Sequence, residues 1–349
     1  MYIKWPKIKI NTDDNKIVEA IAPLIISASR ATDIPAFHTK WFLNRLEKGY
    51  VIWVNPFNKK IQYVSLKKTS LIVFWTKNPK PLIPFLDKIS EKGIDFYFHF
   101  TLNDYENEGL EPNVPKLRER LSIFKALSEK IGKEKVIWRF DPIIILPNMK
   151  TKDILYKIWN LGKELIFYTN KLVISFIDIV RYKKVQKNLQ KFFSFSSTTD
   201  VYKLEPTFKQ QIEIGEGLSH ILRKFRKYNP NFTIATCAER IDLDKFGIKH
   251  NKCIDDGLIK KVFPNNSNLI SFLKSNSLFE ESSHSLKDKG QRPECRCIYS
   301  KDIGAYNTCK HLCVYCYANH SPKIVYRNLK NLDLSSESLL PFTKDTRET

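Results

Sequence analysis

Short apolar runs alternate with amphipathic stretches along the first two thirds of the chain. Residues 23–29 read as a buried strand, and a helix follows over His38 to Lys48 with Trp41, Phe42, Leu43 and Leu46 apolar. Further strands are predicted at 71–76, 95–102, 136–140, 172–177 and 232–236. Helices are predicted between them at 82–90, 114–131, 152–167 and 206–227. Strands alternating with helices of this length imply βαβ units and a parallel sheet. The expected fold class is α/β, a parallel-stranded partial β/α barrel of about six units; a doubly wound open sheet has the same periodicity and stays open as the rival. Residues 180–205 read as an insertion, and 264–292, rich in Asn, Ser and Lys, as an irregular connection. The expected organisation is a barrel core at 1–262, an irregular connection at 263–294, a cysteine-rich segment at 295–330 packing on the barrel mouth, and a polar tail at 331–349.

Polar residues collect where these strands end: Ser29, Arg30, Thr32 and Asp33, then Lys77 and Asn78, then His99, Thr101 and Asn103, then Arg139 and Asp141, then Asp178, then Glu239. In either α/β architecture the ligand site is built at the carboxyl ends of the strands. Arg139 and Asp141 share a parity, so alternation sets both on one face, where two charges are costly to bury unpaired. Asp33 and Thr32 read equally as helix caps before Pro35, and His99 reads as a core histidine. Lys77 reads either as a partner for a ligand carboxylate or as an exposed lysine. With 11 glycines and no G-x-G-x-x-G, a nucleotide held by its phosphates is not expected.

Composition changes the picture in two ways. Lys and Arg outnumber Asp and Glu by 58 to 37, a formal charge of +21 that can attract nucleic acid. The excess is mostly lysine in scattered pairs such as Lys59-Lys60 and Lys260-Lys261, which also suits an ordinary solvated face. No apolar run approaches the ~18 residues of a membrane span, and the N-terminal residues lack the apolar core of a signal peptide. The expectation is therefore a cytoplasmic protein without membrane contact, whose seven cysteines read as metal ligands before disulfides.

Three of them, Cys309, Cys313 and Cys316, are spaced C-x3-C-x2-C. Three thiolates on a four-iron cluster leave one iron open to a ligand. A zinc ion would need a fourth donor, for which His311 and His320 are at hand. The motif, with Tyr315 in the aromatic slot, resembles the signature of the radical S-adenosylmethionine superfamily. Cys316-Tyr317-Ala318 resembles its spore photoproduct lyase-like branch, and residues 300–309 resemble an uncharacterised bacterial family with C-terminal cysteines. The likeness covers chiefly 295–318, with looser segments at 76–79 and 139–142. In most of that superfamily the motif follows the first barrel strand near the N-terminus, so its place here suggests a circularly permuted barrel.

The resemblance implies a 4Fe-4S cluster on Cys309, Cys313 and Cys316, S-adenosylmethionine on its open iron, and an external electron donor of flavodoxin or ferredoxin type. It implies an enzyme that cleaves the cofactor to a 5′-deoxyadenosyl radical and abstracts hydrogen from a substrate, with nucleic-acid repair or modification the first guess. Tyr315, Ser29, Arg30, Lys77 and Asn78 are the candidate cofactor contacts, and Arg139, Asp141 and Glu239 the candidate catalytic residues. The remaining Cys237, Cys253, Cys295 and Cys297 match the count of a second closed site, either a second 4Fe-4S cluster or a zinc ion. The alternative function is a non-catalytic iron–sulfur or zinc protein that binds nucleic acid.

Overall fold

A computed structural model describes residues 5–277, 286–330, 332–340 and 342. Its strands in chain order are β1 (Lys7–Asn11), β2 (Ile17–Ile21), β3 (Ile25–Ala28), β4 (Tyr50–Val54), β5 (Ile61–Ser65), β6 (Leu71–Thr76), β7 (Asp95–Thr101), β8 (Val136–Ile143), β9 (Lys171–Phe176), β10 (Thr233–Thr236), β11 (Lys249–His250) and β12 (Lys301–Asp302). Eight of them form one sheet in the order β12-β3-β6-β7-β8-β9-β10-β11. Every pairing in it is parallel. The strand latest in the chain, β12, thus lies outside the sheet's earliest, β3, with Lys301 opposite Ile26 and Asp302 opposite Ser27.

Alternation along each strand separates two apolar faces. Ile72, Phe74, Phe96, Phe98, Phe100, Val136, Trp138, Phe140, Leu172 and Ile174 join a core that includes Phe42, Phe124, Ile158 and Leu218 from the covering helices. Leu71, Val73, Tyr97, Ile137 and Val173 point the other way, into a smaller core with Cys253, Cys295 and Cys297. Parallel strands buried on both faces read as unbroken apolar runs, which is why β6 falls where the sequence puts it. The helix Phe208–Phe225 shows why the covering layer forms. Thr207 and Gln210 make a capping box at its start, and Ile214, Leu218, Ile221, Leu222 and Phe225 bury one stripe.

Two features were not read from the sequence. A second, four-stranded sheet of order β1-β2-β5-β4 packs beside the first. Residues 335–337, expected in a polar tail, are tied to it and to the adjoining helix: Ile52 N donates to the Glu337 carbonyl at 2.8 Å and Trp41 Nε1 to the Ser336 carbonyl at 2.6 Å. The tail's residues 331, 341 and 343–349 lie outside the described residues, as do 278–285 of the expected connection. That connection also contains a helix, Ser267–Ser277, because Leu269 and Leu273 four residues apart bury fully on the smaller core. Among the described residues no helix is long and apolar enough to cross a membrane.

Candidate metal and cofactor site

The three motif cysteines lie on a segment, 303–321, that has neither helix nor strand and follows β12 directly. Its shape is set by side chains that bond to its backbone. His38 Nε2 meets the Thr308 carbonyl at 3.1 Å, Asn319 Nδ2 donates to the Cys309 carbonyl at 2.7 Å, and Asn113 Nδ2 to the Lys310 carbonyl at 2.8 Å. Val314 N donates to the Leu110 carbonyl at 2.9 Å. Asn307 and Leu312 take left-handed backbone conformations, at φ 60° and 55°, where the loop turns. Burial pushes His38 down to about 4, so it serves as a neutral donor in the floor of the loop.

Cys309, Cys313 and Cys316 are close enough to repel one another electrostatically as thiolates. Burial pushes all three thiols above their ordinary range, and Asp33 adds to the effect on Cys309. Backbone amides partly offset this, His311 toward Cys309 and Ala318 and Asn319 toward Cys316. Three such thiols ionise together only against a positive centre, and the donating amides are the usual outer layer of a thiolate-bound one. His311 does not complete a zinc site: its Nε2 is on Asp33 Oδ2 at 2.8 Å and its Nδ1 faces the Asn113 carbonyl at 3.3 Å. His320 is exposed. Among the described residues, no three or more His, Cys, Asp or Glu side chains are arranged as they stand to hold a metal ion. A four-iron cube holds its thiolates farther apart than one ion does, so a loop suited to the cube need not close around a single ion.

Lys77 borders these sulfurs. Its Nζ lies 2.7 Å from Glu111 Oε1 and 3.0 Å from the Tyr315 hydroxyl, which itself bonds to Glu111. Arg120 Nη1 reaches Glu111 Oε2 at 3.3 Å, and Asn103 Nδ2 donates to Glu111, to Tyr315 and to the Asp141 carbonyl. Burial works against both charges here, but the pairing wins: Lys77 is held above its ordinary range and Glu111 below it. Glu111 was missed by sequence reading, because a carboxylate in an aperiodic loop carries no pattern. Tyr315, a candidate cofactor contact, has its hydroxyl anchored in this polar knot.

The other expected contacts divide. Ser29 Oγ accepts from Ala31 N at 2.8 Å and Thr32 N at 3.3 Å, so it shapes the turn. Asn78 Oδ1 likewise accepts from Lys80 N at 3.3 Å. Asp33 is both a cap and a bridge, accepting from Ala36 N at 3.0 Å and from Lys77 N at 2.7 Å. Arg30 stacks over Trp75, with its guanidinium carbon 4.8 Å from the ring centre, on the side of Cys253, Cys295 and Cys297.

Arg139 bonds Asp141 through Nε and Nη2 and points Nη1 at Cys253 Sγ, 3.1 Å away. Ser175 holds the other oxygen of Asp141. Glu239 accepts from Phe176 N at 2.9 Å, and burial with Cys237 nearby pushes its carboxyl up to about 8. Arg139, Asp141 and Glu239 therefore border the second cysteine set, joined to the first by Asn103. His99 is the core residue expected, with Nε2 on the Cys253 carbonyl at 2.7 Å.

No curated protein and no solved structure gives a match to the chain. A family model described as a domain of unknown function (DUF1848) matches residues 25–318, from the start of β3 to just beyond the last motif cysteine. That span holds the whole parallel sheet and all seven cysteines, and by it the chain belongs to the DUF1848 family.

Proposed function

We propose that the chain is a radical S-adenosylmethionine enzyme built on a circularly permuted, partial β/α barrel. The observation that carries the reading is the position of the three-cysteine loop. It follows β12, the strand that stands first in the spatial order of the sheet although last in the chain. Moving β12 ahead of β3 restores the arrangement that the sequence resemblance implies, with the cysteines after the first strand. The engagement of both His311 nitrogens elsewhere supports a three-thiolate centre with an open position.

In this reading Cys309, Cys313 and Cys316 hold the cluster. Bound there with S-adenosylmethionine, the cluster supplies one-electron reductive cleavage and a 5′-deoxyadenosyl radical. The chain's own residues orient and enclose. Lys77, steadied by Glu111 and Tyr315, offers a fixed cation beside Cys313 for a carboxylate group. Asp33 and His311 fix the loop's entry. Tyr317, whose hydroxyl donates to the Arg30 carbonyl at 2.7 Å and whose ring stacks on Tyr182 at 5.3 Å, ties the loop beyond Cys316 to the turn after β3. The electron comes from a flavodoxin- or ferredoxin-type donor.

The substrate class is proposed from charge: the +21 balance favours a polyanion, nucleic acid first. The test is anaerobic reconstitution with iron and sulfide, then dithionite and S-adenosylmethionine. Release of 5′-deoxyadenosine, lost in Cys313→Ala, is expected. An intact cluster that releases none refutes the enzymatic reading and favours a nucleic-acid-binding protein with a structural metal.

A further inference from the structure

We propose that Cys237, Cys253, Cys295 and Cys297 form a closed tetrathiolate site for one divalent ion of the zinc class, independent of the loop at 309–316. These cysteines come from three places in the chain. Cys237 follows β10, Cys253 follows β11, and Cys295 and Cys297 precede β12. They nevertheless gather: Cys237 Sγ lies 3.3 Å from Cys253 Sγ, Ile254 N, next to Cys253, points at Cys297 Sγ at 3.4 Å, and Cys253, Cys295 and Cys297 share one buried cluster against which Cys237 packs. Four thiols gathered on one face of a sheet are not explained by apolar packing alone.

Spacing decides the kind of centre. Zinc–sulfur bonds of about 2.3 Å in a tetrahedron set neighbouring sulfurs roughly 3.8 Å apart. The observed contact needs to open by only about half an ångström to reach that value. A four-iron cube would have to drive the Cys237–Cys253 pair much farther apart, and on this pair a single ion is proposed in place of the second cluster the sequence suggested. As they stand, no three of these donors face a common point among the described residues. Binding the ion releases the thiol protons and turns the sulfurs inward.

The surroundings are built for a negative centre. Arg30 Nη2 is buried and has no hydrogen-bond partner. Arg139 gives its one nitrogen not held by Asp141 to Cys253 Sγ. Four thiolates around a divalent ion carry a net charge of −2; Arg30 faces that charge, and Arg139, whose charge is shared with Asp141, faces it in part. Asn251 Nδ2 toward Cys253 and Ile254 N toward Cys297, each at 3.4 Å, supply the outer donors that steady metal-bound sulfur. The ion would fasten the β10–β11 edge of the sheet to the segment entering β12 at the other edge, where Ile298 N already bonds to the Ile254 carbonyl at 3.0 Å. It would thereby fix the strand from which the first cysteine loop departs.

The test is metal analysis of the full chain and of a Cys309→Ala/Cys313→Ala/Cys316→Ala variant, purified without added metal. One zinc per chain in both is expected, and cobalt replacing it should give the intense visible bands of tetrahedral tetrathiolate coordination. Arg30→Met should keep the ion but lose it to a chelator about tenfold more readily. Cys253→Ser with Cys297→Ser should lose the ion. If that variant does not fold, the cobalt spectrum of the unaltered site decides alone. A triple variant without metal, iron with acid-labile sulfide at these cysteines, or a Cys237–Cys253 disulfide in their place would overturn the proposal. None of these outcomes touches the first loop, so the two readings fail separately.

Discussion

Glu111→Gln should be among the most damaging single changes near the cysteine loop. The Glu111 side chain is 2% exposed and sits between Arg120 at 1% and Lys77 at 13%. Each carboxylate oxygen holds one cation, and Arg120 Nε already lacks a partner. The amide keeps the shape and removes the charge, leaving two buried cations without an anion. Removing one partner of a buried pair costs about 3–5 kcal/mol, and the second stranded cation puts this case at the upper end. The assay is urea unfolding of Glu111→Gln, Lys77→Met and the double variant. Because Lys77→Met removes one of the stranded charges, the double variant should recover roughly 1–3 kcal/mol relative to the sum of the two. The sign with pH is fixed by the lowered Glu111 carboxyl: its stabilisation is present above the ordinary carboxylate range and lost as pH falls through the lower folded value. A loss below about 1 kcal/mol, the scale of a surface ion pair, or strict additivity would refute the reasoning.

Three further outcomes follow from the same geometry. The unfolded chain protonates His38 near 6.5 and the folded chain only near 4, so the unfolded state binds more protons between these values. Stability from this group is complete above the upper value and falls as pH drops toward the lower, by about 3 kcal/mol at most; His38→Gln should flatten that part of a pH–stability curve. Gly304→Ala would set a Cβ 1.8 Å from Ser29 Oγ and 2.5 Å from Ser29 Cβ, so it should cost about 1–3 kcal/mol or more in denaturant melts, and Ser29→Ala should not rescue it. Asn103→Leu breaks the link between Tyr315 and Asp141 and should slow 5′-deoxyadenosine release while leaving cluster iron unchanged; equal loss of iron and product would show a merely structural role.

The central sheet was legible because its strands are short, wholly apolar runs separated by helices with clear stripes. The sequence span 71–76 and β6 coincide, and the helix predicted at 206–227 is Phe208–Phe225. The second sheet was not legible. Lys7–Asn11 alternates lysine with isoleucine and is largely exposed; it pairs with Ile17–Ile21 across a short turn, but the joining of that hairpin to the β4–β5 hairpin, Ile21 opposite Val64, depends on residues far apart in sequence. The strands β11 and β12 are two residues each, too short for any period. Yet β12 decides where the cysteine loop sits. Motif spacing pointed to the three loop cysteines, but nothing in it pointed to Glu111 or Arg120, which close the charge balance around Lys77. Ser29 and Asn78 were picked by their place at strand ends, where turn-shaping and ligand-binding residues look alike.

The most direct test is electron paramagnetic resonance of the anaerobically reconstituted, dithionite-reduced protein with its second cysteine set unaltered, where a zinc-class ion gives no signal. The account predicts a reduced four-iron signal from Cys309, Cys313 and Cys316 whose shape changes when S-adenosylmethionine is added, because one iron is open to it. A signal indifferent to S-adenosylmethionine, or no cluster at all in folded protein, would contradict it.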